Sequence, residues 1–183
     1  MENKLKLHTS RLELLAGSAE IGRAEIEDRQ LFSKLLEAQV PDTWPPPLND
    51  IGSMTWFTEY LQKHPHAVGW AAWYFLLKEQ TGKYLIVIGN GGFKGLPDKN
   101  GVVEIGYSIL EKYQGIGLAS EGVARLIEWA FSHHQVTKVI AKTMPDSFAS
   151  IGVLKKNNFV YCGSGYEEGA ILYELDKQSY FKK

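Results

Sequence analysis

The stretch from Val102 to Phe131, VVEIGYSILEKYQGIGLASEGVARLIEWAF, constrains the fold more than any other part of the chain. Val102–Leu110 is rich in β-branched and aromatic residues, as a strand requires. A short polar break at Glu111-Lys112-Tyr113 follows, and then Gln114-Gly115-Ile116-Gly117-Leu118-Ala119. From there apolar residues recur at Ile116, Ala119, Val123, Leu126, Ile127 and Ala130, the three-and-four spacing of a helix with one buried face. The pattern predicts a strand, a tight glycine turn and a helix.

That order of elements has a physical use. The first turn of a helix carries N–H groups without internal partners, and the aligned peptide dipoles place partial positive charge there. An anion docks on those groups if no side chain blocks it. Gly115 and Gly117 lack the Cβ atoms that would block, and Ala119 and Ser120 are small. No Lys lies in the turn, so backbone amides must supply most of the attraction. The expected ligand is a phosphate or pyrophosphate.

Three kinds of protein use such a turn. The Gly-x-x-x-x-Gly-Lys-Ser/Thr pattern of a P-loop is absent. A dinucleotide-binding turn requires G-x-G-x-x-G and an acid about 20 residues later. Here the run is Gly115-x-Gly117-x-x-Ser120, and Thr137-Lys138-Val139-Ile140 supplies no acid, which disfavours a nicotinamide-dependent oxidoreductase. The third pattern is Q/R-x-x-G-x-G/A after a strand, found in the GCN5-related N-acetyltransferase (GNAT) superfamily. Gln114-x-x-Gly117-x-Ala119 resembles it.

The rest of the chain bounds the setting. With 183 residues, 44 % hydrophobic and 22 % charged, a single domain over residues 1–183 with a sizeable core is expected. Net charge is −1 with no basic block, so neither nucleic acid nor membrane is indicated as a partner. Met1-Glu2-Asn3-Lys4 lacks a signal-peptide core, and the longest apolar run, Val68–Leu77, is too short to span a membrane. The one cysteine, Cys162, excludes an internal disulfide, fits the cytoplasm and reads as a small strand residue. His64 and His66 have no third ligand at useful spacing, so no metal is expected.

In chain order, Leu5–Leu15 reads as an edge strand. Ser18–Ala38 reads as helix, in one or two pieces, with Leu31, Leu35 and Ala38 supplying an apolar face and Ile26 and Phe32 nearby. Val40–Leu48 holds Trp44 and three consecutive prolines, a stiff loop that either packs as a connector or walls a substrate cleft. A helix capped by Asp50 or Ser53 runs to about His64 and stops at Pro65, with Trp56, Tyr60 and Leu61 on one face. Gly69–Lys78 and Lys83–Gly89 are strands joined by a turn at Glu79–Gly82, the first of them apolar on both faces as a central strand is. Asn90–Gly95 ends a strand or forms a bulge. Thr137–Met144 is a strand and Phe148–Lys156 a helix ended by Asn157-Asn158. Phe159–Cys162 and Ala170–Leu175 form a last antiparallel pair.

Two further segments carry the resemblance. Ser147-x-x-Ser150-x-x-Val153-Leu154-x-Lys156-x-Asn158-Phe159 is similar to the N-x-x-S-x-x-V-L-x-K-x-G-F helix of the superfamily, with Ser147 in place of Asn and Asn158 in place of Gly. Thr9-Ser10-Arg11-Leu12-Glu13-Leu14 resembles the T-x-R-L-x-L opening of the ribosomal-protein N-terminal acetyltransferase branch, the RimJ/RimL type. The resemblance implies an α+β (α/β) GNAT fold. Its sheet is mixed and mostly antiparallel, of about six to seven strands flanked by helices, with a V-shaped cofactor gap in its middle.

The implied activity is transfer of an acetyl group from acetyl-CoA, the co-substrate, to a primary amine, either a protein N-terminal α-amine or a small molecule. Backbone groups at Tyr107, Ser108 and Ile109 are implied to pair with pantetheine, and Ser147 to contact it. Gln114, Gly115, Ile116, Gly117, Leu118, Ala119 and Ser120 are implied to hold the pyrophosphate. Leu154 occupies the place where many relatives carry a proton-donating Tyr, so Ser150 is the candidate donor to the leaving thiolate, with a helix-face Ser near a cap as the alternative. Glu104 is the candidate base, and the alternative for it is a strand-end Glu paired with a Lys. Trp44 and Trp73 are candidates for the acceptor side, with core packing as the alternative. A competing reading is an acyl-CoA-binding sensor that has kept the fold and lost turnover. The oligomeric state is open, a homodimer being one option.

Overall fold

The computed structural model describes residues 4–79 and 84–182. Among them eight strands form one open sheet: β1 (Lys6–His8), β2 (Leu12–Ala16), β3 (Ala72–Lys78), β4 (Leu85–Phe93), β5 (Val102–Ile109), β6 (Lys138–Thr143), β7 (Val160–Ser164) and β8 (Ile171–Asp176). The strand order is β1-β2-β3-β4-β5-β6-β8-β7. The β5–β6 pair is parallel and the other neighbours are antiparallel. Six α-helices accompany them: α1 (Ala19–Glu27), α2 (Arg29–Leu36), α3 (Ile51–Lys63), α4 (Leu118–Ser132), α5 (Phe148–Lys156) and α6 (Lys177–Phe181).

The sheet has more strands than the six to seven expected because Leu5–Leu15 is a hairpin. Thr9 closes its turn: the Thr9 N–H donates to Leu12 O at 2.9 Å and the Leu12 N–H donates to Thr9 Oγ1 at 2.8 Å. The turn expected at Glu79–Gly82 falls largely on residues 80–83, outside the described residues.

Strand alternation builds two cores. On β3, Trp73 and Phe75 face one side of the sheet, among Val123, Leu126 and Ile127 of α4. Tyr74 and Leu76 face the other, among Ile21, Ala24, Phe32 and Leu36 of α1 and α2. The expected apolar face of the early helices is met in part: Ala38 is buried and Leu35 packs on the core, but Leu31 does not. Leu31 is 39 % exposed, while Phe32 and Leu36 are buried. Asp28 starts a separate helix, its Oδ1 accepting from the Gln30 and Leu31 N–H groups, and that helix turns Phe32 and Leu36 toward Tyr74 and Leu76 of β3. Helix α6 is also beyond the sequence expectation, and Tyr180 in it packs on Phe131.

The feature that matters for function lies between β5 and β6. They pair only from Val102↔Lys138 to Glu104↔Ile140. Beyond Glu104, β5 stays with β4 through Ile109, while β6 stays with β8 through Thr143. The sheet therefore opens into a V, whose mouth meets the glycine turn and the start of α4.

Candidate functional site

The backbone of β5 lines one wall of the V, and strand alternation selects which groups do so. The Lys94 N–H donates to Glu104 O at 2.9 Å, and the Leu110 N–H donates to Ile88 O at 2.8 Å. Even-numbered residues of β5 thus spend their peptide groups on β4. The peptide groups of Tyr107 and Ile109 point the other way, to the side β6 has left. Ser108, named with them from the sequence, turns its peptide to β4 instead. Its hydroxyl donates to the Pro47 carbonyl, which brings the proline loop against β5.

At the mouth, a short 3-10 turn over Glu111–Tyr113 leads into Gln114. Gly115 and Gly117 have φ of 77° and 84°, the left-handed region that glycine enters without steric cost. Helix α4 begins at Leu118 with Gly117 as its N-cap and no side chain capping it. The N–H groups of Leu118, Ala119 and Ser120 are therefore without helical or side-chain-cap partners. Ile116 is 60 % exposed rather than on the buried helix face, since the helix starts after it. The Gln114 side chain donates to Ile109 O at 2.8 Å, binding the turn to the end of β5.

The two candidate catalytic side chains lie on opposite faces of the sheet. Tyr107 reaches across to α5, where its hydroxyl is 3.1 Å from both the Ser150 carbonyl and the Ser150 hydroxyl. Burial pushes the Tyr107 phenol up to about 12, although its contact with Ser150 opposes the shift. It stays protonated over the physiological range. Ser147 is the N-cap of α5, with no side-chain capping bond. Leu154 is fully buried.

Glu104 faces the α3 side. Its carboxylate meets Lys94 at 2.5 Å and Lys142 at 3.1 Å, and Lys142 also meets Glu167 at 3.1 Å. Burial lowers the Lys142 pKa, but its bonds to Glu104 and Glu167 outweigh that and raise it. Beside this chain of charges, Asp50, Gly52, Ser53, Trp56, Phe57 and Lys94 line a cleft. Next along β5, a Cβ on Gly106 would meet nothing within 4 Å, so the strand offers an open floor there.

The two tryptophans separate. Trp73 is corrected to a core residue: it is fully buried, its Nε1–H donates to Gly69 O at 2.8 Å, and it has no surface to offer an acceptor. Trp44 is half-buried. It packs against Phe32 and Tyr74, and its Nε1–H donates to Glu25 at 3.1 Å. Glu25 also accepts from Asn49 and Tyr74, and burial raises its pKa against those bonds. Trp44 thereby clamps the proline loop to α1 and β3.

Sequence reasoning missed Lys94 and Lys142, and it missed the role of Thr9, Ser10, Arg11 and Glu121. Glu121 sits in the first turn of α4, and its carboxylate accepts from Thr9 Oγ1 at 2.5 Å, Ser10 Oγ at 3.1 Å, Arg11 N at 2.9 Å and Arg11 Nε at 2.6 Å. Burial would raise its pKa, but these bonds prevail and hold it at about 2. One signal was available: an acid in the first turn of an anion-binding helix has to be turned aside and neutralised. Among the described residues no group of three or more His, Cys, Asp or Glu is placed to hold a metal ion, and no helix is long and apolar enough to cross a membrane.

Comparisons with known proteins show the family and the fold. The Acetyltransferase (GNAT) domain model matches residues 20–160. The uncharacterized N-acetyltransferase YjdG of Bacillus subtilis is 28 % identical over 158 residues, 86 % of this chain and 87 % of that protein. The uncharacterized N-acetyltransferase p20 of Bacillus licheniformis is 37 % identical over 73 residues, 40 % of this chain and 41 % of that protein. Among solved structures, the ribosomal-protein-S5-alanine acetyltransferase of Vibrio fischeri superposes with a TM-score of 0.62 at 18 % identity, covering 96 % of this chain and 98 % of its own. RimL, a ribosomal L7/L12 α-N-protein acetyltransferase solved with coenzyme A, also gives 0.62 at 18 % identity, covering 96 % and 99 %. With a family model spanning α2 to α5, both strands of the V and the glycine turn, the chain belongs to the GNAT family of acetyltransferases.

Proposed function

We propose that this acetyltransferase moves the acetyl group of acetyl-CoA directly to a primary amine, a protein N-terminal α-amine or a small-molecule amine. The observation that carries the proposal is the opening of the sheet after Glu104, with the uncapped start of α4 at its mouth. The N–H groups of Leu118–Ser120, aided by the open backbone of Gly115 and Gly117, suit a pyrophosphate. The peptide groups of Tyr107 and Ile109 suit an extended amide chain added beside β5.

Acetyl-CoA supplies an acyl group activated as a thioester. The chain's own residues do the rest. An N–H of Tyr107 or Ile109 donates to the carbonyl oxygen as it gains negative charge. As the amine nitrogen bonds to the acyl carbon and the carbon–sulfur bond breaks, the Ser150 hydroxyl, held beside Tyr107, donates a hydrogen bond to the departing thiolate, which takes its proton from solvent. Glu104, on the opposite face, accepts a proton from the amine directly or through water after releasing one of its lysine partners. Positioning of a neutral amine contributes independently of any base.

A screen of amine acceptors with acetyl-CoA, reading thiol release, tests the proposal. Acetyl-dependent thiol release with at least one amine supports it. Tight coenzyme A binding with no thiol release across peptides and small amines overturns it in favour of an acyl-CoA sensor. The buried aliphatic side chain at Leu154 keeps that second reading in play.

A further inference from the structure

We infer that Arg11 and Glu121 are positioning residues for the coenzyme, holding the glycine turn in its anion-binding shape through a latch from the β1–β2 hairpin. The inference rests on the reading that this turn holds the pyrophosphate. Arg11 joins two parts of the turn at once. Its Nε–H donates to Glu121 at 2.6 Å in the first turn of α4, and its Nη1–H donates to the Ile116 carbonyl at 3.0 Å, between the two glycines. Its Nη2 stands 3.6 Å from where a Cβ on Gly117 would be. Thr9, Ser10 and the Arg11 peptide complete the hold on Glu121.

Two physical reasons require such a latch. Gly115 and Gly117 make the turn permissive, so its chain is entropically free to leave the one shape that aims the N–H groups. Arg11 restores that shape from outside, by fixing the carbonyl between the glycines. Glu121 also carries a negative charge at the same helix end that is to receive a diphosphate, and that charge repels the ligand. The guanidinium neutralises it, and the hairpin hydroxyls turn it away from the mouth. Glu121 is nearly covered, with a side chain 16 % exposed, so solvent does little of this work.

Two donors separate the latch from a general structural role: acetyl-CoA, and S-acetylpantetheine, which lacks the diphosphate. Wild type is expected to prefer acetyl-CoA strongly. Arg11→Ala is expected to raise KM for acetyl-CoA about tenfold or more with kcat at saturation nearly unchanged, while kcat/KM with S-acetylpantetheine stays at the wild-type value. Adding Glu121→Gln to Arg11→Ala is expected to recover part of the loss by removing the unneutralised charge. Arg11→Lys, which keeps the charge but not both contacts, is expected to fall between. If wild type does not discriminate the donors, the reading of the turn itself fails. If wild type discriminates but Arg11→Ala and Arg11→Lys retain normal KM for acetyl-CoA, the latch fails. Equal loss with both donors in the folded Arg11→Lys variant also overturns it, as a structural effect.

Discussion

Replacing Gly117 by Val tests the centre of the site most directly. Gly117 has φ of 84° and ψ of 7°, and a left-handed backbone costs an L-residue about 1–2 kcal/mol. A Cβ alone would fit, standing 3.6 Å from Arg11 Nη2, an ordinary contact. A domain of ordinary stability, about 5–15 kcal/mol, survives such strain. The expected fall in melting temperature is about 2–4 °C for each kcal/mol lost. The effect on the ligand is larger. Relief of the strain rotates the peptide planes that start α4, and a hydrogen bond to a charged group is worth about 1.5–3 kcal/mol. Losing two of those bonds weakens coenzyme binding by about a hundredfold to ten-thousandfold. Calorimetric titration with coenzyme A, beside a thermal melt of the same sample, reads both quantities. A variant that melts a few degrees lower yet binds coenzyme A within threefold of wild type, on the scale of that range, refutes the assignment of the turn.

Other expectations concern the chemistry and the acid limit. Ser150→Ala leaves the Tyr107 hydroxyl its bond to the Ser150 backbone carbonyl, so the fold is little disturbed. Turnover is expected to drop by about tenfold or more while acetyl-CoA affinity holds, and wild-type turnover makes Ser150 structural. Glu104→Gln loses the charge that pairs with Lys94 and Lys142 and is expected to shift the pH–rate profile; a superimposable profile removes Glu104 as the base. Glu121 is held at about 2 against an ordinary 4.5, so its contribution to stability is complete above about 4.5 and is lost as pH falls toward 2. Acid unfolding of wild type and Glu121→Gln is therefore expected to differ in that window, with the variant showing the shallower dependence.

The legible part of this protein was local. Two glycines separated by one residue, after a β-branched run and before an apolar period of three and four, are enough to specify the strand, the turn and the helix. Both glycines do take positive φ, and β5 and α4 begin within a residue or two of where periodicity puts them. The same local logic offered Asp50 or Ser53 as a helix cap, and Asp50 is the one, its side chain accepting from the Ser53 N–H at 2.8 Å. It located α5 over Phe148–Lys156, ended by Asn157-Asn158, with Asn158 at a φ of 64°. It failed at Leu31, since α2 turns Phe32 and Leu36 to the core instead, and at Trp73 as an acceptor-side candidate, since a central strand buries both of its faces.

What only the tertiary structure decided was which distant groups meet and which way each β5 peptide points. The pattern Val102–Ile109 gives a strand with either parity. The bonds to Lys94 and Ile88 choose one, sending Tyr107 toward Ser150 and Glu104 toward two lysines. Arg11 and Glu121 lie 110 positions apart, so no window of sequence contains their contact. Turns, caps and periods arise from interactions within a few residues and are written in order along the chain. The latch, the ion-pair chain and the V arise from sheet order and from where β5 and β6 part, and those are set by packing of the whole sheet.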